Sequence, residues 1–127
     1  YQARHFFQDF TFQLTDESTL NLNLRQSFSV FPNSDQTQNG ADRTQDMYNF
    51  IGRYQVRLAS FLSWQVEGGM MLQRGTGFDQ DLATARSELD FSYGQLSFKL
   101  GYEFGEETYS GELRERHFTY FRMKRDF

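Results

Sequence analysis

Long runs in which apolar and polar residues alternate one for one constrain this chain more than any other feature. Leu20, Leu22, Leu24, Phe28 and Val30 alternate with Asn21, Asn23, Arg25, Ser27 and Ser29. Tyr48, Phe50, Tyr54, Val56 and Leu58 stand against Asn49, Ile51, Arg53, Gln55 and Arg57, and Leu62, Trp64, Val66, Met70 and Leu72 against Ser63, Gln65, Glu67, Met71 and Gln73. Further on, Ala85, Leu89, Phe91 and Tyr93 alternate with Arg86, Glu88, Asp90 and Ser92, and Leu96, Phe98, Leu100, Tyr102 and Phe104 with Ser97, Lys99 and Glu103. The opening segment is noisier, with Phe6, Phe10, Phe12 and Leu14 on one side and His5, Asp9, Thr11 and Gln13 on the other. A helix of period 3.6 would scatter these sets around its axis, whereas a strand of period two keeps each on one face. The interleaving also reconciles 15 Phe with a mean hydropathy of −0.72.

The pattern predicts about seven strands over 3–14, 19–31, 46–58, 61–74, 83–93, 95–104 and 115–127. At about 9–13 residues each they exceed the roughly 5–6 of ordinary strands and match the roughly 9–11 that a tilted strand needs to cross a membrane. Short connections at Thr15–Ser18, Ala59–Phe61 and Tyr93–Gly94 alternate with three expected long ones: NSDQTQNGADRTQD after Pro32, RGTGFDQDLAT and GEETYSGELRE. Short turns at one end and long loops at the other are the asymmetry of outer-membrane barrels.

The last segment, HFTYFRMKRDF, carries Phe121, Met123 and Phe127 on alternate positions. It resembles the C-terminal signal strand of bacterial outer-membrane β-barrel proteins, in which an aromatic last residue is read by the barrel-insertion machinery. Arg125 departs from that pattern, since its position is usually apolar or aromatic. The resemblance implies an all-β, antiparallel, up-and-down transmembrane barrel in a Gram-negative outer membrane, with Phe121, Met123 and Phe127 as the insertion signal. Its implied partners are membrane lipid, lipopolysaccharide, the insertion machinery and other envelope proteins. Large barrels of this style include those that sheath electron-transferring cytochromes and those that accompany exopolysaccharide export; the strands are similar to both.

With a periplasmic C-terminus, strand one would start outside, and seven is an odd number where closed single-chain bacterial barrels are even. The chain is therefore expected to be a piece of a larger barrel, joined by remaining strands, because an unpaired strand edge in lipid has no water to bond. It opens YQARHFFQDF without a basic-then-apolar head, so the expectation is that an export signal upstream has been removed.

The expected lumen-facing residues are Arg53, Arg57, Glu67, Arg86, Glu88, Asp90, Lys99, Glu103, Arg122 and Lys124. They would either line a solute-selective pore or neutralise one another in a plugged interior. Tyr48, Tyr93, Phe104 and Phe127 are candidates for interfacial girdles. Three functions stay open: a pore, conduit or sheath; a plugged barrel anchoring an envelope complex; and a soluble barrel holding an apolar ligand.

Other chemistry finds little footing. The absence of cysteine removes disulfides and thiolate metal sites, and a net charge of −4 is the wrong sign for a nucleic-acid partner. His5 and His117, the two histidines, have no spacing that suggests a metal site. Asp35, Asp42, Asp46, Asp79, Asp81, Glu106, Glu107 and Glu112 are expected to crowd the long loops, either bridging divalent cations to lipopolysaccharide or simply solvated. Gly75-Thr76-Gly77 lacks the lysine and the strand–loop–helix setting of a phosphate loop and reads as a turn. No cofactor and no enzymatic activity are expected.

Overall fold

A computed structural model describes residues 2–32 and 43–126, with nothing said of the Phe78 side chain. Seven strands form one antiparallel sheet: β1 (Gln2–Thr15), β2 (Ser18–Phe31), β3 (Arg43–Ala59), β4 (Leu62–Gly75), β5 (Phe78–Tyr93), β6 (Leu96–Tyr109) and β7 (Glu112–Arg125). Each strand pairs only with its neighbours in sequence, and the spatial order is the chain order. β1 and β7 are the two edges, so the described residues form an open sheet and not a closed barrel.

All seven expected strands are present, but most are longer than the sequence reading placed them. The correction is largest at the two segments read as long loops. RGTGFDQDLAT contains the ends of β4 and β5 joined by a two-residue turn, Thr76-Gly77, and GEETYSGELRE is the β6–β7 hairpin closed by Ser110-Gly111. Both turns need backbone in the left-handed region: φ is +94° at Gly77, +84° at Gly111 and +48° at Ser110. Glycine reaches those angles without a Cβ clash, so two residues suffice to reverse the chain. The alternation of short and long connections therefore does not hold in the described residues, where five connections are two-residue turns. The expected connection after Pro32 falls mostly outside them.

The registers are nearly continuous, with irregularities only at Gln13/Thr15 and Arg57/Ala59. They also show a regular stagger. From the row that joins Ser18, Val56, Trp64 and Leu89, the β1–β2 turn follows at once, the β3–β4 turn lies two residues further on at Leu62, and the β5–β6 turn four residues on at Tyr93. At the opposite end, the row through Gln26, Tyr48, Leu72, Asp81 and Thr108 runs five residues on to Phe31, three to Gly75 and one to Tyr109. Both ends of the sheet step by two residues per hairpin.

No apolar side chain among the described residues is buried. A water-soluble domain is built of at least two layers closed over a hydrophobic core, and this sheet has a single layer.

Candidate functional site

Because the registers hold, each face of the sheet can be read row by row. One face carries every expected lumen-facing residue. Across its middle, Arg53 on β3 stands opposite Glu67 on β4, Glu67 opposite Arg86 on β5, and Arg86 opposite Glu103 on β6. This row of alternating sign is drawn together at Arg53–Glu67, with Nη2 2.6 Å from Oε2 and Nε–H donating to the same oxygen at 2.8 Å, and more loosely at Arg86–Glu103, 3.8 Å. Arg86 Nε has no hydrogen-bond partner although that atom is buried.

A second cluster lies one row away. Glu88 is only 6% exposed, the most sequestered charged group described. Lys99 Nζ donates to Glu88 Oε1 at 3.0 Å and lies 3.3 Å from Asp90, while the Tyr120 hydroxyl donates to Glu88 Oε2. Tyr120 can reach across because its cross-strand partner is Gly101; a Cβ built there would fall within the Tyr120 ring. Sequence reasoning missed Tyr120 and Gly101. The available signal was a glycine on the charged register of β6, opposite an aromatic on the charged register of β7.

Of the remaining candidates, Arg57 stands opposite Ser63 at the turn end, and Arg122 opposite Lys99. Lys124 pairs with Asp126 at 2.9 Å and joins neither cluster. Toward the other end this face also carries Met47, Ile51, Met71 and Leu82, none of them fully exposed.

The opposite face is apolar over most of its area. Phe10, Phe12, Leu22, Leu24, Phe50, Val66, Met70, Leu89, Phe98, Leu100 and Phe121 all lie on it by register. Seven strands about 4.8 Å apart and four to five side-chain rows make a patch on the order of 900 Å². Monomeric soluble proteins rarely expose more than a few hundred. A chain of ring contacts, Phe61–Phe91–Phe98–Phe121, crosses the turn end with centroid separations of 5.4, 5.9 and 6.1 Å, the first edge-to-face and the other two tilted. Trp64 lies on the same face, its indole N–H donating to Ser87 Oγ at 2.9 Å.

The expected insertion residues Phe121 and Met123 stand on this apolar face, 64% and 63% exposed, opposite Leu100 and Phe98; Phe127 lies outside the described residues. The girdle candidates Tyr48, Phe104 and Tyr93 also share this face. His117 packs there against Phe104 with centroids 5.1 Å apart and shares a 2.7 Å hydrogen bond with the Tyr102 hydroxyl. His5 meets Ser27 on the charged face at 3.0 Å.

The acidic residues expected in loops are corrected in position. Asp46, Asp79, Asp81, Glu106, Glu107 and Glu112 sit in strands, and Asp35 and Asp42 lie outside the described residues. Asp81 pairs with Arg74, and Gln80 donates to Glu107 at 2.6 Å. Among the described residues no three His, Cys, Asp or Glu side chains are grouped to hold a metal ion.

No protein-family model, curated protein or solved structure matches the chain.

Proposed function

We propose that this chain forms part of the wall of a bacterial outer-membrane β-barrel, with its apolar face toward lipid and its charged face toward an aqueous interior. The barrel serves as a pore, a conduit or a sheath around a partner, and the chain acts as a wall and not as a catalyst. One observation carries the reading: a single-layer sheet with a continuous, uncovered apolar face on one side and charged rows on the other. In water such a face would drive aggregation, whereas acyl chains cover it without any protein layer. The edges are then completed by further strands, since unpaired N–H and C=O groups are not tolerated in hydrocarbon. Lipopolysaccharide and the barrel-insertion machinery are the corresponding envelope partners.

A plugged, structural barrel is the second reading, favoured by the mutual neutralisation of Arg53, Glu67, Arg86 and Glu103. A soluble barrel with an apolar ligand is the inverse arrangement, with the apolar face inside and the charged face in water, and the lipid-quenching experiment separates it from the membrane reading.

Trp64, the single tryptophan, tests lipid contact directly. After reconstitution into phosphatidylcholine vesicles, brominated acyl chains should quench its emission while aqueous iodide leaves it nearly unchanged. Quenching by iodide alone refutes the lipid-facing assignment. Planar-bilayer conductance of the full-length protein then separates the two barrel readings: large stable steps mean an open lumen, and insertion without steps means a plugged one.

A further inference from the structure

On the charged face the two borders of the sheet differ. β1 presents Ala3, His5, Phe7, Asp9, Thr11 and Gln13 there, and its one acid, Asp9, already accepts a hydrogen bond from Asn23. Beyond Glu112, β7 presents Arg114, Arg116, Phe118, Tyr120, Arg122 and Lys124, two pairs of cations with two aromatic rings between them. Phe118 stacks on Tyr120 with centroids 5.9 Å apart and is still 57% exposed.

Within the sheet, charges that stand opposite each other on this face are of opposite sign. The row Arg53–Glu67–Arg86–Glu103 alternates, Asp90 meets Lys99, and Glu107 meets Arg114. Lys99 against Arg122 is the single like-signed opposition on this face among the described residues. Glu88 and Asp90 both lie on the far side of Lys99, so Arg122 faces only a cation. Arg116 faces Gly105, which has no side chain. Arg114 and Lys124 have acids at the ends of the strand, Glu112 at 3.7 Å and Asp126 at 2.9 Å. Arg116 and Arg122 have no carboxylate partner among the described residues. The side of β7 away from β6 is where such partners fit.

We propose that β7 is joined along its open edge by a strand with carboxylates opposite Arg116 and Arg122 and apolar or aromatic side chains opposite Phe118 and Tyr120. This rests on the barrel-wall reading above and names the neighbour that the wall takes on that side. The two acids of the joining strand stand six residues apart on one face, matching Arg116 and Arg122. Its other face is apolar and continues Phe121 and Met123. An exposed edge offers N–H and C=O groups to any extended chain. Charge chooses among the candidates, since at directly opposed positions opposite charges are favoured and like charges disfavoured. β1, of this chain or of a second copy, does not meet the description, because it brings a single acid to the seam. A soluble polyanion in the lumen would meet the guanidiniums but leave the backbone edge unpaired, which hydrocarbon does not tolerate.

A peptide that reads the same in both directions tests the match whichever way it runs along β7. The probe is Thr-Leu-Glu-Val-Phe-Xaa-Phe-Val-Glu-Leu-Thr, with a nitroxide on its central residue. It is added to the full chain in phosphatidylcholine vesicles, and the chain, which has no native cysteine, carries a bimane at Thr119→Cys on β7 or at Gln8→Cys on β1. Six strand spacings, about 29 Å, separate the two labels, so quenching reports which border the peptide occupies. With two charge pairs at stake, the peptide should quench the β7 label at about tenfold lower concentration than its glutamine counterpart. Its lysine counterpart should be weaker still, and the preference should vanish when Arg116→Gln and Arg122→Gln are combined. Equal binding by the glutamate and glutamine peptides, or by a peptide whose glutamates and phenylalanines exchange places, overturns the proposal. So does stronger quenching at the β1 label, or no binding at β7. Displacement of the peptide by oligogalacturonate at similar concentration overturns it in favour of a polyanion in the lumen. Brominated-lipid quenching of Trp64 in the same vesicles reads the membrane assignment separately.

Discussion

Replacing Gly101 with alanine should expel the Tyr120 ring from its seat and release its hold on Glu88. The new Cβ would fall within that ring, so Tyr120 must turn away and its hydroxyl leaves the carboxylate. A hydrogen bond to a charged group contributes about 1.5–3 kcal/mol, and Glu88 is sequestered enough for the loss to be felt. Against this, alanine gains about 0.5–1 kcal/mol over glycine in a strand. The expected net destabilisation is about 1–2 kcal/mol. Denaturant unfolding of the vesicle-embedded protein, followed by Trp64 fluorescence, reads it. The cycle with Tyr120→Ala isolates the cause: once the ring is absent, Gly101→Ala should be neutral or slightly stabilising. An equal penalty in both backgrounds would refute the idea that Gly101 is a seat for Tyr120.

Val66→Arg, at mid-strand on the apolar face, should cost about 2–4 kcal/mol in vesicles, while Arg122→Gln on the charged face should stay within about 0.5 kcal/mol; similar values in the same unfolding assay remove the facing assignment. Gly111→Ala should cost about 1–2 kcal/mol by forcing a side chain into the left-handed region, and an unchanged unfolding midpoint would mean that the turn is not tight. The Arg53–Glu67 pair is half exposed on its arginine side, so a double-mutant cycle with Arg53→Ala and Glu67→Ala should give a coupling below about 1 kcal/mol; a larger coupling would mean that this face is drier than an aqueous lumen.

The strands were legible wherever one face is apolar, because alternation marks such a strand without help from its neighbours. Leu20 to Val30 and Leu96 to Phe104 are of this kind. Legibility failed where the alternation stops but the pairing continues. In Asp79-Gln80-Asp81 and Glu106-Glu107-Thr108 both faces are polar, so a hairpin arm has the composition of a loop. The Ser110-Gly111 turn was hidden for the same reason, and Gly75-Thr76-Gly77, legible as a turn, gave no sign that two residues close it, since a Gly in a polar run signals a turn without fixing its length. The charged face was readable as a set, and the structure draws some of its members together: Arg53 with Glu67, and Lys99 with Glu88. Which charges pair depends on register, and register is a relation between strands that no single strand spells out. The Tyr120–Gly101 contact depends on it most, because it exists only where those two positions fall opposite each other.

The seven-strand meander also settles the sense of its own borders. Successive strands reverse, so the first and the seventh point the same way, and the two unpaired borders carry chains of like direction. Joining β7 straight onto β1 would make a parallel seam in an otherwise antiparallel wall, and parallel pairing is slightly weaker per residue. Two copies set side by side in the same membrane orientation meet with that same mismatch at both seams. A wall that closes with every neighbour reversed therefore interposes an odd number of additional strands between β7 and β1.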